Sequence, residues 1–244
     1  MSTRLDHVVL GVPDLSSGQA EMAAAGLQFA PGGRHPGGTH NALLVSPERW
    51  SYVELLVAPE WDAAGEGSQV TAQVRQGGLV TWALSVADVV VQVRRLAEAG
   101  FDCQPVEAGS RKTTDGHGVR WRSAVIGPGF GQSELPFLIE WGAGESHRTG
   151  LAPDGRAAYL TEIEVGARDP ERLRILLKVL GLAAGSCDGG LECSDGEVLM
   201  RFVEGEPRLS AVCLARPDGR RIRITDRVQA RRLCVRVDAA GQVS

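Results

Sequence analysis

Three side chains in this chain interrupt strand-like apolar runs with groups able to bind a metal or move a proton. His7 sits in Arg4-Leu-Asp-His-Val-Val-Leu-Gly-Val-Pro-Asp14, Glu54 in Ser51-Tyr-Val-Glu-Leu-Leu-Val-Ala58, and Glu140 in Leu135-Pro-Phe-Leu-Ile-Glu-Trp141. A carboxylate inside an apolar strand is costly unless something pairs with it, so each acid calls for a partner. An imidazole nitrogen with two carboxylates and open positions suits a divalent ion, Zn, Mn, Fe, Ni or Co. The alternative is a network in which the acids pair with arginines such as Arg34 and Arg111.

The elements around these residues repeat. Arg4 to Gly11 alternates like a strand, Asp14 follows as a helix N-cap, and Gly26 stops the helix. The spacing from Asp14 to Gly26 recurs from Asp88 to Gly100 and from Asp169 to Gly181, and Leu27, Phe101 or Leu182 follows each glycine. Strands follow each time, so the chain reads as three β-α-β-β-β units, and a unit of that size must pair with a sibling to bury its sheet. Strand alternation puts Leu5, His7 and Val9 on one face and Asp6, Val8 and Leu10 on the other. If units one and two pair about a pseudo-twofold axis, His7, Glu54 and Glu140 project into one cleft.

The expected boundaries are 1–58 and 79–142 for the paired units within 1–142, 156–226 for a degenerate third unit, and 227–244 for a C-terminal extension. The segments from Pro59 to Gly78 and from Gly142 to Gly155 read as connectors. Three units leave one unpaired. Unit three therefore covers its sheet with the C-terminal segment or pairs across a homodimer.

Composition narrows the class. With 244 residues, 43% hydrophobic, the chain can bury a substantial core. The net charge of −4 argues against a nucleic-acid surface, and Arg216, Arg220, Arg221, Arg223, Arg227, Arg231, Arg232 and Arg236 read as a solvated face. The five cysteines form no C-x-x-C pair and read as cytoplasmic thiols. No apolar run reaches the ~18 residues of a membrane span. The Gly32-Gly33 and Gly37-Gly38 pairs make no phosphate-loop motif, and no strained nucleophile sequence is present.

The first-strand Leu5-Asp-His-Val-Val and the late-strand acids in Tyr52-Val-Glu-Leu and Phe137-Leu-Ile-Glu-Trp resemble the vicinal oxygen chelate superfamily. Gly32-Gly-Arg-His-Pro-Gly-Gly-Thr-His-Asn-Ala-Leu, Ser110-Arg-Lys-Thr-Thr-Asp-Gly and Val119-Arg-Trp-Arg look like its glyoxalase-like domain family. The resemblance implies an α+β fold of paired, curved mixed sheets around a cleft. It implies metal ligation by His7, Glu54 and Glu140, with one of Glu54 and Glu140 doubling as general base, and it puts Thr81 where many metal-binding members have a fourth ligand. Arg34, His35, His40, Asn41, Thr81 and Arg111 are candidates to orient a small oxygen-rich metabolite. The other reading is a metal-free protein that sequesters a small molecule in the same cleft.

Overall fold

The computed structural model describes residues 3–59, 69–148, 158–226 and 233–238. Unit one comprises β1 (Arg4–Gly11), α1 (Leu15–Ala24), β2 (Ala30–Arg34), β3 (His40–Leu44) and β4 (Tyr52–Val57). A short helix α2 (Gln69–Gln76), inside the segment read as a connector, leads to unit two. That unit comprises β5 (Gly78–Ser85), α3 (Val89–Glu98), β6 (Glu107–Lys112), β7 (Gly118–Val125) and β8 (Phe137–Trp141). Then come β9 (Tyr159–Ala167), α4 (Pro170–Val179), β10 (Ala184–Cys187), β11 (Gly190–Ser194) and β12 (Leu199–Glu204). A meander of β13 (Arg208–Ala215), β14 (Arg221–Asp226) and β15 (Leu233–Asp238) follows. No described helix is long and apolar enough to cross a membrane.

The repeat seen in sequence is a repeat of local physics. Asp14, Asp88 and Asp169 each accept a hydrogen bond from the backbone N–H three residues on, at 2.8, 3.0 and 3.1 Å. Gly26, Gly100 and Gly181 end the helices at φ of 80°, 83° and 80°, where a β-carbon would be strained.

Units one and two close into one barrel in the order β1-β4-β3-β2-β6-β7-β8-β5. Within each unit the first and last strands run parallel, β1 with β4 and β5 with β8. Two seams join the units. One is the long antiparallel β1/β5 pairing, with register shifts between Leu5 and His7 and between Val9 and Leu10. The other is the single pair Arg34–Lys112 between β2 and β6.

The second half begins the same way and does not close. β12 pairs parallel with β9, and β13 pairs antiparallel with β9 through two register shifts, as β5 does with β1. The strands β13 to β15 thus occupy the sibling's place without its helix, leaving an open sheet in the order β10-β11-β12-β9-β13-β14-β15. Beyond β12 the strands β13–β15 make a partial fourth unit, of which β13 and β14 fall within the expected 156–226 and β15 within the expected extension. Arg227, Arg231 and Arg232 lie outside the described residues, as do 149–157 of the second connector.

One apolar core joins the halves. Leu5, Val8 and Leu10 of β1 and Trp82 and Leu84 of β5 belong to the same buried cluster as Ile163, Val165, Met200, Phe202 and Val212 of the open sheet. The Trp82 and Phe202 rings meet there at 5.8 Å between centroids. A second cluster, including Val9, Leu56, Val80, Ala83, Phe130, Phe137 and Ile139, lies on the barrel's inner side.

Candidate functional site

The barrel encloses a cleft of about 360 Å³. Much of its wall is apolar, from Val9, Leu56, Phe130, Phe137, Ile139 and Trp141, while His7, Glu54, Asn41 and His35 give it a polar end. A cleft with an apolar body and a few convergent polar groups is the usual form of a small-molecule site.

His7 and Glu54 arrive together because β1 and β4 are parallel neighbours and both side chains project inward. His7 Nε2 lies 3.5 Å from Glu54 Oε2, and Asn41 donates its amide N–H to Glu54 Oε1 at 2.6 Å. The ring of His7 stacks on Tyr52 at 4.6 Å and meets Phe137 edge-on at 5.3 Å, which fixes its plane.

The residue that completes this arrangement was expected on the opposite face. At the register shift beside Leu5, Asp6 turns to His7, and its Oδ1 lies 2.8 Å from His7 Nδ1. The other carboxylate oxygen accepts from the indole N–H of Trp50 at 3.1 Å and of Trp141 at 2.9 Å. Burial pushes the Asp6 carboxyl up, but the hydrogen bond and charge of His7, helped by His147 and Trp141, outweigh it and hold the pKa below its ordinary value. Asp6 is therefore an acceptor only, so Nδ1 of His7 carries the proton given to it and Nε2 faces Glu54.

Around this line the neighbours are held uncharged. Burial, with the nearby Asp6 and Glu54 carboxylates, raises the Tyr52 phenol well above its ordinary pKa. Burial lowers His35, whose Nδ1 lies 2.7 Å from the Thr39 hydroxyl. His147, completely buried, stacks on Tyr52 at 4.3 Å, and burial lowers its pKa to about 3. Neither ring nitrogen of His147 has a partner among the described residues.

Glu140 goes elsewhere. In β8 the side chains of Phe137, Ile139 and Trp141 line the cleft, and the alternation turns Glu140 outward. There it accepts from the first N–H of α3, Val89 N, at 2.9 Å and from Arg122 at 2.6 and 2.7 Å. The expected three-ligand set of His7, Glu54 and Glu140 is not assembled, and the described residues contain no group of three or more His, Cys, Asp or Glu able to hold an ion. Two donors fall short of the three that catalytic metals ordinarily take from protein, so the described residues do not fit a resident catalytic metal.

The remaining candidates divide. Asn41 is in the cleft at Glu54, and His35 lines its outer part. Arg111 lines the cleft, but it is buried with its guanidinium donating to the Gly32 carbonyl and, at 2.8 Å, to the His147 carbonyl. Both of these partners are backbone oxygens. Thr81 is buried opposite Val9 and does not line the cleft. His40 does not line it either, since Asn41 and Leu43 take the inward positions of β3. Arg34 is exposed and lines an adjoining hollow. The sequence reading missed Asp6, Tyr52 and His147. A histidine in a connector otherwise small and polar was the one trace of His147, and Asp6 had no signal beyond its adjacency to His7.

A family model described as a glyoxalase-like domain matches residues 5–181. Among solved structures, a hypothetical protein from Staphylococcus aureus is 16% identical with a TM-score of 0.67, over 88% of this chain and 91% of that one. A 2,3-dioxygenase from Pseudomonas sp. KL28 is 12% identical with a TM-score of 0.50, over 86% of this chain and 73% of that one. A methylmalonyl-CoA epimerase from Mycobacterium tuberculosis is 23% identical with a TM-score of 0.40, over 56% of this chain and 87% of that one. No functionally curated protein matches the sequence significantly. The α+β barrel of paired units and the family match agree, and the chain belongs to the glyoxalase-like domain family.

Proposed function

We propose that the barrel binds a small molecule with an apolar body and a carbonyl oxygen, and that His7 and Glu54 move a proton on it. The observation that supports this reading is the line Asp6–His7–Glu54 at the polar end of a cleft much of whose wall is apolar. Asp6 fixes the tautomer of His7, so Nε2 is the free base. It would take a proton from a carbon next to the carbonyl, and the C–H electron pair would pass into the enolate. The imidazolium so formed lies between the Asp6 and Glu54 carboxylates, which offset its charge. Return of that proton to the neighbouring carbon of a hydroxy-carbonyl compound, while Glu54 passes the hydroxyl proton to the enolate oxygen, gives an isomer with no other reactant consumed.

The test works across a class of compounds rather than on one substrate. A panel of small ketones, aldehydes and hydroxy-carbonyl compounds is incubated with the protein in D₂O, and proton NMR follows loss of the signal next to the carbonyl. Exchange by the wild type that disappears in His7→Ala and Glu54→Gln supports the reading. Saturable binding with no exchange supports the second one, a sequestering protein, which the apolar wall and the backbone-tied Arg111 favour. A metal-dependent enzyme was the expectation from resemblance, and elemental analysis bears on it. About one transition metal per chain, lost in His7→Ala, would restore that expectation against the two-donor argument.

A further inference from the structure

Beside the cleft lies a second hollow of about 540 Å³, lined by Gly33, Arg34, His35, Ser110, Lys112 and Thr114 among others. His35, Pro36 and Ser110 line both spaces, so the hollow continues the cleft outward along the β2/β6 seam. The seam consists of one residue pair, and that pair is Arg34 opposite Lys112. Like charges directly opposed across antiparallel strands destabilise the pairing. Here they stand at the thinnest closure of the barrel, in a chain whose net charge is −4.

Among the described residues, no acid lines the hollow. The acid closest in sequence, Asp115, is occupied by the Thr113 hydroxyl and the His117 backbone N–H. The seam is also held close, since a β-carbon at Gly33 would collide with the Lys112 carbonyl. The two cations therefore cannot separate by moving the strands apart without opening the barrel.

We propose that Arg34 and Lys112 bind the phosphate-type dianion of a ligand whose body lies in the cleft. Arg offers a planar fork and Lys a point charge, and the Ser110 and Thr114 hydroxyls supply further donors around the same space. The anion would turn the repulsion across the seam into attraction, so that ligand binding and barrel closure reinforce each other. This rests on the cleft being the ligand site, and it narrows the substrate class to carbonyl compounds that carry a phosphoryl group.

The probe is inorganic phosphate, titrated into the full chain at constant ionic strength and followed by backbone amide NMR. Saturable shifts at Gly33, Arg34, Ser110 and Lys112 are expected, with affinity falling roughly tenfold in Arg34→Ala or Lys112→Ala, the size of one charge-assisted contact. His7→Ala should bind phosphate as the wild type does. Shifts that do not saturate, or an Arg34→Ala/Lys112→Ala double variant that binds equally well, would overturn the proposal. Phosphate binding without proton exchange on any carbonyl compound would leave the hollow standing and remove the proton-transfer reading. Exchange without saturable phosphate binding would do the reverse.

Discussion

The barrel and the open sheet start from the same strand arrangement and put different chemistry on it. His7 stands seven positions before the capping Asp14 in β1, and Glu162 stands seven positions before Asp169 in β9. Both residues belong to a strand with a parallel neighbour on one side and a twice-shifted antiparallel neighbour on the other. In the barrel a complete second unit closes over the strand, and His7 is only 3% exposed. In the open sheet no described unit closes over β9, and Glu162 forms an ion pair with the half-exposed Arg201 at 3.5 Å. Closure is what separates them. Removing water makes an imidazole between two carboxylates strongly interacting, whereas a partner half in water lets solvent screen the Glu162–Arg201 pair.

The largest test of this comparison asks whether the two halves stand independently. Phe202 is fully buried in the open sheet and meets Trp82 of the barrel wall. Phe202→Ala should cost about 3–5 kcal/mol, the usual loss for a buried ring, and should lower the stability of barrel and sheet together. Chemical denaturation read by tryptophan fluorescence and far-ultraviolet circular dichroism should show one shifted transition. A barrel transition that keeps its wild-type midpoint would separate the halves.

Next in size is the loss of proton exchange at the closed site. General acid–base groups contribute about 10²–10⁴-fold, so His7→Ala should lower the exchange rate by that order. Asp6→Asn should lower it as well while leaving ligand affinity nearly unchanged, because the amide cannot accept from His7 and from two indoles as the carboxylate does. Equal losses of rate and affinity in Asp6→Asn would make Asp6 a packing residue only.

The sequence carried the architecture well and the site only in part, and the reason lies in the pleat. Capping aspartates and stop glycines are local signals, so the three capped helices and the strands that precede them were legible, while α2, inside the expected connector, was not. His7 and Glu54 were legible because a polar group stands out in an apolar strand. Glu140 stands out in the same way, yet it sits on the other parity of its strand, and one residue of register exchanges cleft for surface. Asp6 failed for the opposite reason. A register shift with no residue signature brought it round to His7, against strict alternation. The missing helix of the fourth unit left no mark at all, because β13 to β15 have ordinary strand patterning.

A smaller effect follows from acid. Burial lowers His147 to about 3, against an ordinary value near 6.5, so the unfolded chain binds a proton that the folded chain refuses between those values. Stability should therefore be full above about pH 6.5 and fall by up to about 1.4 kcal/mol per pH unit on the way down. The lowered Asp6 carboxyl adds a loss of the same sign below its ordinary range. In His147→Phe, which keeps the stack on Tyr52, the slope between pH 6 and 4 should flatten in urea titrations. An unchanged slope would assign the acid sensitivity to other groups.

The smallest effect belongs to the open sheet. Glu162→Gln removes one member of a pair whose other member, Arg201, is half in water, and such pairs contribute about 0–1 kcal/mol. Its thermal midpoint should move by no more than a few degrees, and its exchange rate should match the wild type. Glu54→Gln is the companion, since a carboxylate at 7% exposure that faces His7 and accepts from Asn41 has no solvent to replace the lost charge. The pair of variants isolates closure from residue type, because the same carboxylate-to-amide change is made in both halves. A Glu162→Gln loss several times larger, with a midpoint that rises with protein concentration, would mean that a second copy covers the open face in solution. Closure would then be supplied between chains in one half as it is within the chain in the other.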